Sequence, residues 1–225
     1  MQVESSVYPP TPRSTPTRYR ERASYDRATV HRILDEALMC HLGYVRAGRA
    51  VVLPTMHARV DETLYLHGST GSGPMLAATT SASGLPLCLT VTLLDGLVLA
   101  RAAVHHSVNF RSVVVHGTGR VVSDREEKLR ALAALLDHVA PGRADDSRAP
   151  NARELAATVV LAVDLVEVSA KVRTGGPLDD ADDIDLPYWA GVMPLGLCPG
   201  EPMPADDLAS GLPVPTYLTP YRREQ

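Results

Sequence analysis

Aromatic side chains are scarce in this chain. One Trp, one Phe and eight Tyr stand among 225 residues, so the core has to be built from Val, Leu and Ala. Lysine occurs only at Lys128 and Lys171, which leaves positive charge almost wholly to arginine. Cysteine occurs three times. Cys40, Cys88 and Cys198 are widely spaced and form no Cys-x-x-Cys pair, which argues against a disulfide framework or a structural zinc site. No stretch of about 18 apolar residues is present, and the N-terminus has no continuous apolar segment of the signal type. The expectation is a chain with no membrane partner, placed in the reducing cytoplasm.

Several chemical signatures are also missing. There is no Gly-Lys-Ser/Thr phosphate loop, no Gly-x-Gly-x-x-Gly opening a strand–helix unit, and no Gly-x-Ser-x-Gly elbow. A formal charge of −4 argues against a general nucleic-acid binder. That charge is uneven. Residues 1–60 hold nine Arg against five acids, net +4, which leaves −8 for the remainder.

What is present reads as strands joined by tight turns. Residues 1–24 carry Pro9, Pro10, Pro12 and Pro16 among Ser, Thr and Arg. This composition predicts a tail, disordered or laid over a partner. Asp26 caps a predicted helix from Arg27 to about Cys40, with Val30, Ile33, Leu34, Ala37 and Leu38 on one face. Strands are predicted at 41–47 and 49–58 around Gly48, and then at 63–67. A Gly-Ser loop at 68–73 precedes a short helix over 74–81. Strands at 85–94 and 97–104 flank Asp95-Gly96, a strong hairpin dipeptide. A long strand covers 110–122. Ser123 and Glu126 form a capping-box pattern before a helix that carries Leu129, Leu132, Ala133, Leu136 and Val139 on one side. A short helix at 151–157 and a long strand at 158–172 follow. Beyond Gly175 the chain is acidic, then proline-rich. Antiparallel hairpins dominate, so the expected class is mainly β (α+β), a barrel with peripheral helices. The domain spans 25–195, and 196–225 is a proline-rich tail.

Four stretches carry candidate chemistry. The first runs from His105 to Gly117, where Asn109, Arg111 and Ser112 lead into Val113-Val114-Val115. A guanidinium beside hydroxyl and amide donors suits a phosphate or carboxylate, and it equally suits a solvated strand edge. The second is the loop His67-Gly68-Ser69-Thr70-Gly71-Ser72-Gly73, whose glycines permit close approach of backbone to an anion; a flexible linker has the same composition. The third is the set His57, His67, His105, His106 and His116. No carboxylate stands at ligand spacing from them, so hydrogen bonding is favoured over metal ligation. The fourth is Lys171 with Arg173, Glu167 and Ser169 on one face of a strand, either an ion-pair ladder or a cation for a cofactor.

Taken in order, Ser24-Tyr25-Asp26-Arg27, Val52-Leu53-Pro54-Thr55, Leu66-His67-Gly68-Ser69, Asp95-Gly96-Leu97-Val98, His105–Val115, Ser169-Ala170-Lys171-Val172-Arg173 and Trp189-Ala190-Gly191-Val192 resemble the pyridoxamine 5′-phosphate oxidase-related flavin-nucleotide-binding family. The resemblance spans about residues 20–195. It implies the FMN-binding split β-barrel fold and an FMN cofactor. It also implies a homodimer with two sites built across the interface. Val52, Leu53, Pro54 and Thr55 would follow the isoalloxazine edge. His67, Gly68 and Ser69 would border the ribityl chain, and Ser72 and Gly73 the phosphate. Asn109, Arg111, Ser112 and Lys171 would complete the cofactor cluster. Relatives often carry a basic residue after the serine of the phosphate turn, where this chain has Gly73-Pro74. The charge would then be met by backbone amides and Arg111. True pyridoxamine phosphate oxidases carry a C-terminal arginine–histidine motif, and Pro220-Tyr221-Arg222-Arg223-Glu224-Gln225 has no histidine.

The resulting expectation is an FMN-dependent oxidoreductase acting on a small organic substrate other than pyridoxamine phosphate. His67 and His105 are the candidate proton donors. Three alternatives stay open: a non-catalytic flavin sensor, a haem-binding split barrel, and a deazaflavin protein.

Overall fold

The computed structural model describes residues 5–218. In chain order it holds β1 (Ala23–Ser24), α1 (Arg27–Glu36), β2 (Met39–Arg46), β3 (Arg49–Met56), β4 (Ala58–Val60), β5 (Thr63–Ser69), α2 (Gly73–Thr79), β6 (Leu85–Leu99), β7 (Ser107–Val121), α3 (Arg125–Val139), α4 (Ala152–Ala157), β8 (Thr158–Asp164), β9 (Glu167–Arg173) and β10 (Gly191–Pro194). The strands form one antiparallel sheet in the order β3-β2-β6-β7-β8-β5-β4, with β9 added on β7, β1 on β9, and β10 on β6. β7 leaves β9 after His116 and takes up β8 at Arg120. The sheet thereby turns back on itself. Leu42, Leu87, Leu89 and Val115 from one half and Leu64, Leu66, Leu161 and Val163 from the other bury one another in a single core. Among the described residues, no helix is long and apolar enough to cross a membrane.

Period-two alternation sorts the large sheet into two faces. Inward, Leu42, Leu89, Val115 and Val168 are level with one another and fully buried. Val91, Val113 and Ala170 form the next such row. Outward, the matching rows are Gly43, Cys88, His116 and Glu167, then His41, Thr90, Val114 and Ser169, then Thr92, Ser112 and Lys171. The outer face is therefore a band of hydroxyls and titratable groups, flanked on β2 and β3 by exposed Met39, Val45, Val52 and Met56.

Several elements depart from the sequence expectation. α1 stops at Glu36 because Cys40, Leu42 and Tyr44 alternate into the core as β2, and sheet pairing overrides the helical period. Asp95-Gly96 is no hairpin turn. β6 runs on through it as a bulge, with β10 packed so close that a β-carbon on Gly96 would lie 3.0 Å from the Met193 carbonyl oxygen. The cap of α3 is Asp124, whose carboxylate accepts from the Glu127 amide at 2.7 Å; Ser123 is not the cap. The buried side of α3 is Ala131 and Leu135, while Leu136 and Val139 stay exposed. Small Ala131 lets the helix lie close against Val160 and Ala162 of β8. The long strand predicted over 158–172 breaks at Leu165-Val166, since β8 pairs with β5 and β9 with β7.

Residues 5–24 do not behave as the tail their composition suggests. Tyr8 is 1% exposed. Its amide donates to the Tyr25 carbonyl at 2.8 Å, and its hydroxyl donates to Glu62 at 2.7 Å. The Arg27 guanidinium sits 4.3 Å above the Tyr8 ring and pairs with the same Glu62. Proline removes backbone donors along this segment. Hydroxyls replace them: Ser14 accepts from the Thr11 amide at 2.9 Å, and Thr15 donates to the Thr11 carbonyl at 2.7 Å. A buried aromatic ring and these polar contacts together hold an otherwise polar segment in place.

Truncating that ring tests the docking. Tyr8→Ala should lower unfolding stability by about 3–5 kcal/mol, the usual cost of deleting a buried aromatic side chain. A denaturant titration reads it. An unchanged midpoint would mean that the segment contributes nothing to the fold.

Candidate functional site

The predicted site residues fall into two groups on different parts of the sheet. The first gathers where β2, β3, β5 and α2 meet. The β2–β3 hairpin turns through Ala47 and Gly48, both at positive φ, and sets Tyr44 opposite Val51 and Arg46 opposite Arg49. The 69–72 loop brings Gly73 against this hairpin. A β-carbon on Gly73 would lie 2.8 Å from the Tyr44 hydroxyl and 3.1 Å from an Arg46 guanidinium nitrogen. One on Gly68 would lie 3.0 Å from the Ser72 hydroxyl oxygen. Both glycines let these side chains approach the backbone closely. Val52, Leu53, Pro54 and Thr55 run away from this corner along β3, which pairs with β2 alone and leaves its other edge open.

The polar groups of this corner are short of partners. Among the described residues, the buried Ser72 hydroxyl and the buried His67 Nδ1 have no hydrogen-bond partner. Burial holds the His67 imidazole below its ordinary pKa, so the ring is neutral near pH 7. Among the described residues no carboxylate pairs with Arg46. Directly opposed like charges destabilise a strand pair, and Arg46 faces Arg49. An anion bound between them and Ser72 would relieve that repulsion and satisfy the hydroxyl. The corner therefore fits a phosphate group. Neither Arg46 nor Tyr44 was singled out by the sequence, because their nearness to Gly73 is a product of the hairpin's docking on α2.

The second group is differently disposed. Arg111 is clamped between two carboxylates, donating to Asp95 at 2.7 Å and to Glu36 at 2.8 Å. Its hydrogen bonds to Asp95, and then to Glu36, hold its pKa above the ordinary arginine value. Its charge is committed to the fold, and the expectation that it meets a phosphate finds no free guanidinium here. Asn109 is likewise occupied: its amide donates to the Gly175 carbonyl at 3.1 Å and its oxygen accepts from buried Arg173. Ser112 and Lys171, by contrast, are brought together on the outer face, level with each other. They line a cavity of about 260 Å³ roofed by Arg13, Ser14, Thr15 and Pro16.

These two groups do not meet within one chain. Tyr44 is level with Leu87 and Gly117, five residues along β7 and two strands across from Ser112, a separation of roughly 20 Å by strand spacing. The candidate histidines also part. His67 lies on β5, whereas His105 precedes β7 and stands 3.2 Å from Asp180, with Asp183 close by. Sequence spacing had shown no carboxylate near His105; the returning 176–190 segment supplies both. His106 donates through Nδ1 to the Ala102 carbonyl at 3.2 Å, which leaves its Nε2 lone pair available.

A family model described as pyridoxamine 5′-phosphate oxidase matches residues 26–172. Among solved structures, the flavocytochrome Anf3 from Azotobacter vinelandii is 37% identical, covers 96% of this chain and 99% of its own, and superposes with a TM-score of 0.88. An FAD and haem binding protein from Mycobacterium smegmatis is also 37% identical, covers 88% of this chain and 96% of its own, with a TM-score of 0.82. The large antiparallel sheet is the split barrel of these flavin-binding structures. No protein of curated function matches the chain.

The Arg111 clamp can be separated from cofactor binding by experiment. Arg111→Met should cost about 2 kcal/mol or more, since two carboxylates lose charged hydrogen bonds. Urea unfolding of cofactor-free protein measures this. Unchanged stability with lost flavin binding would instead make Arg111 a cofactor residue.

Proposed function

We infer the function from one premise: this chain belongs to the pyridoxamine 5′-phosphate oxidase family of flavin-binding proteins. We propose that it is a flavin-dependent oxidoreductase acting on a small molecule. The observation that carries this reading is the partner-poor donor set of Ser72, Arg46 and Arg49 beside the open edge of β3. In this reading the phosphate end of the flavin lies between the two guanidiniums and Ser72. The main-chain groups of Val52–Thr55 line the ring edge, with His67 to Ser69 along the ribityl chain. Flavin supplies the electron and hydride chemistry when bound, so no acid–base triad is needed. His67 is the favoured proton carrier, because its buried Nδ1 lacks a partner while His105 is engaged by Asp180. The flavin is FMN by family resemblance, or FAD as in the M. smegmatis relative. The substrate in this reading is other than pyridoxamine phosphate. The protein acts as a homodimer, with the exposed apolar side chains of Met39, Val45, Val52 and Met56 covered by a second copy.

Arg46→Ala should weaken flavin binding about tenfold, the scale of one charge-assisted phosphate contact. Quenching of flavin fluorescence on titration measures it, and equal affinities would overturn the phosphate placement. Mass spectrometry of the cofactor released on denaturation separates FMN from FAD.

A second reading adds haem. Two relatives that span nearly the whole chain are described as a flavocytochrome and as an FAD and haem binding protein. The imidazole of His106 suits such a group: Nδ1–H is tied to a carbonyl, the arrangement that leaves Nε2 for iron. Val104 and Val108 beside it in sequence are exposed apolar side chains. Haem would supply a one-electron centre that exchanges electrons with the flavin. In this reading His106→Ala abolishes the Soret band of the purified protein and leaves the flavin bands intact. A retained Soret band would remove His106 as the iron ligand.

A further inference from the structure

The stretch beyond β10 is exposed from end to end. It leaves the body at Leu195, whose amide donates to the Asp95 carbonyl at 3.0 Å. It returns at Tyr217, whose hydroxyl donates to Asp146 at 2.7 Å and accepts from Arg143 at 3.1 Å. Every residue from 195 to 214 is exposed. Among the described residues, the hydrogen bonds made by 196–214 stay within that stretch. The Leu208 amide donates to Ala205, the Leu212 amide to Ala209, and the Cys198 thiol to Pro199. Loops longer than about 12–15 residues without helix or strand are uncommon in compact domains, and those fixed at both ends commonly bind something.

Composition says what this arm binds. Leu197 is 81% and Met203 92% exposed, with Leu208, Leu212 and Val214 also in the open. Its charges are Glu201, Asp206 and Asp207, and it carries no base. Pro199, Pro202, Pro204 and Pro213 stiffen it, which lowers the entropy cost of ordering it on a partner. The β2–β3 ribbon is its complement. Met39, Val45, Val52, Leu53 and Met56 are exposed there. Between Met39 and Met56 stand Arg46 and Arg49 and no acid. Both surfaces lie open in a single chain, so neither covers the other within it. Apolar contact supplies affinity for the pair. The two arginines steer the acidic arm toward the ribbon, which leaves their hydrogen bonds for the phosphate.

We propose that residues 195–214 form a clasp that docks on the β2–β3 ribbon of a second copy of this chain. The proposal rests on the homodimer reading and names the surfaces that join. Two-fold symmetry uses each surface twice, the clasp of either copy on the ribbon of the other. Clasp and ribbon together supply more than the roughly 20–30 residues a side of a standard interface. Prolines lack the N–H that strand addition needs. The clasp therefore meets the ribbon through side chains, and does not extend the sheet at β3. The flavin reading sets the ring along that same open edge, so the clasp of one copy walls the site of the other.

The test uses the full chain. Cys198 is exposed and sits in the clasp, so a thiol-reactive photo-crosslinker attached to it reports what lies alongside. Isotope-labelled and unlabelled chains are mixed and crosslinked, and the joined peptides are identified by mass spectrometry. The expected product links Cys198 of one chain to residues 39–56 of the other. In parallel, analytical ultracentrifugation compares the parent with a variant carrying Leu197→Ser and Met203→Ser together, and circular dichroism confirms that this variant folds. The double variant should raise the dimer dissociation constant at least about tenfold, through loss of two buried apolar side chains. Crosslinks that stay within one chain or fall outside 39–56, or a double variant that dimerises like the parent, overturn the clasp while the dimer stands. A parent protein that sediments as a monomer at every concentration overturns the clasp and the homodimer reading together, and the flavin titration then decides the cofactor by itself.

Discussion

The pairing of β6 with β7 fixes nearly everything else in this molecule. The two strands run side by side through most of their length, and their register decides which side chains enter the core. Leu87, Leu89, Val91, Val113 and Val115 go in; Cys88, Thr90, Thr92, Ser112 and His116 go out. A slip of one residue would exchange the two sets. The bulge at Asp95 holds the register at one end. Its carboxylate grips Arg111 on the neighbouring strand, and Glu36 at the end of α1 grips the same guanidinium. One arginine thus ties a helix, a bulge and the central strand together.

With the inward face saturated by aliphatic packing, the outward face is left to chemistry. At the margin of the sheet, the hairpin corner sets Arg46 against Arg49 beside Ser72. Several arginines elsewhere on the fold are tied to acids, as Arg59 is to Asp35, Arg101 to Asp179, and Arg148 to Glu154. The exposed methionines and valines on β2 and β3 border the same region, so cofactor and second copy would meet on one surface.

The barrel class and most strands were legible because β-branched alternation and turn residues are local signals. The departures share a cause: each depends on a contact far away in sequence. Asp95-Gly96 looks like a hairpin turn until β10 arrives to flank it and Arg111 to bind it. Met39 and Cys40 extend a helical pattern until β3 draws them into a strand. The first two dozen residues read as a tail because composition cannot show that one tyrosine finds a buried slot between Arg27 and Glu62. At the candidate site, the Gly-Ser loop showed in composition, and its assignment to a phosphate came from the family resemblance. Arg46 was hidden, because only the folded hairpin places it over Gly73. Arg111 had the right chemistry for an anion, and the fold met it with two carboxylates from its own chain.

The central claim is that two copies of this barrel enclose a flavin in the gap that each leaves uncovered. Native mass spectrometry of the purified full-length protein tests it most directly. The account predicts one species at twice the chain mass carrying two flavins, and loss of flavin when the dimer is dissociated in the gas phase or by dilution. A monomer that keeps its flavin, or a protein that takes up neither FMN nor FAD when both are supplied, would contradict it.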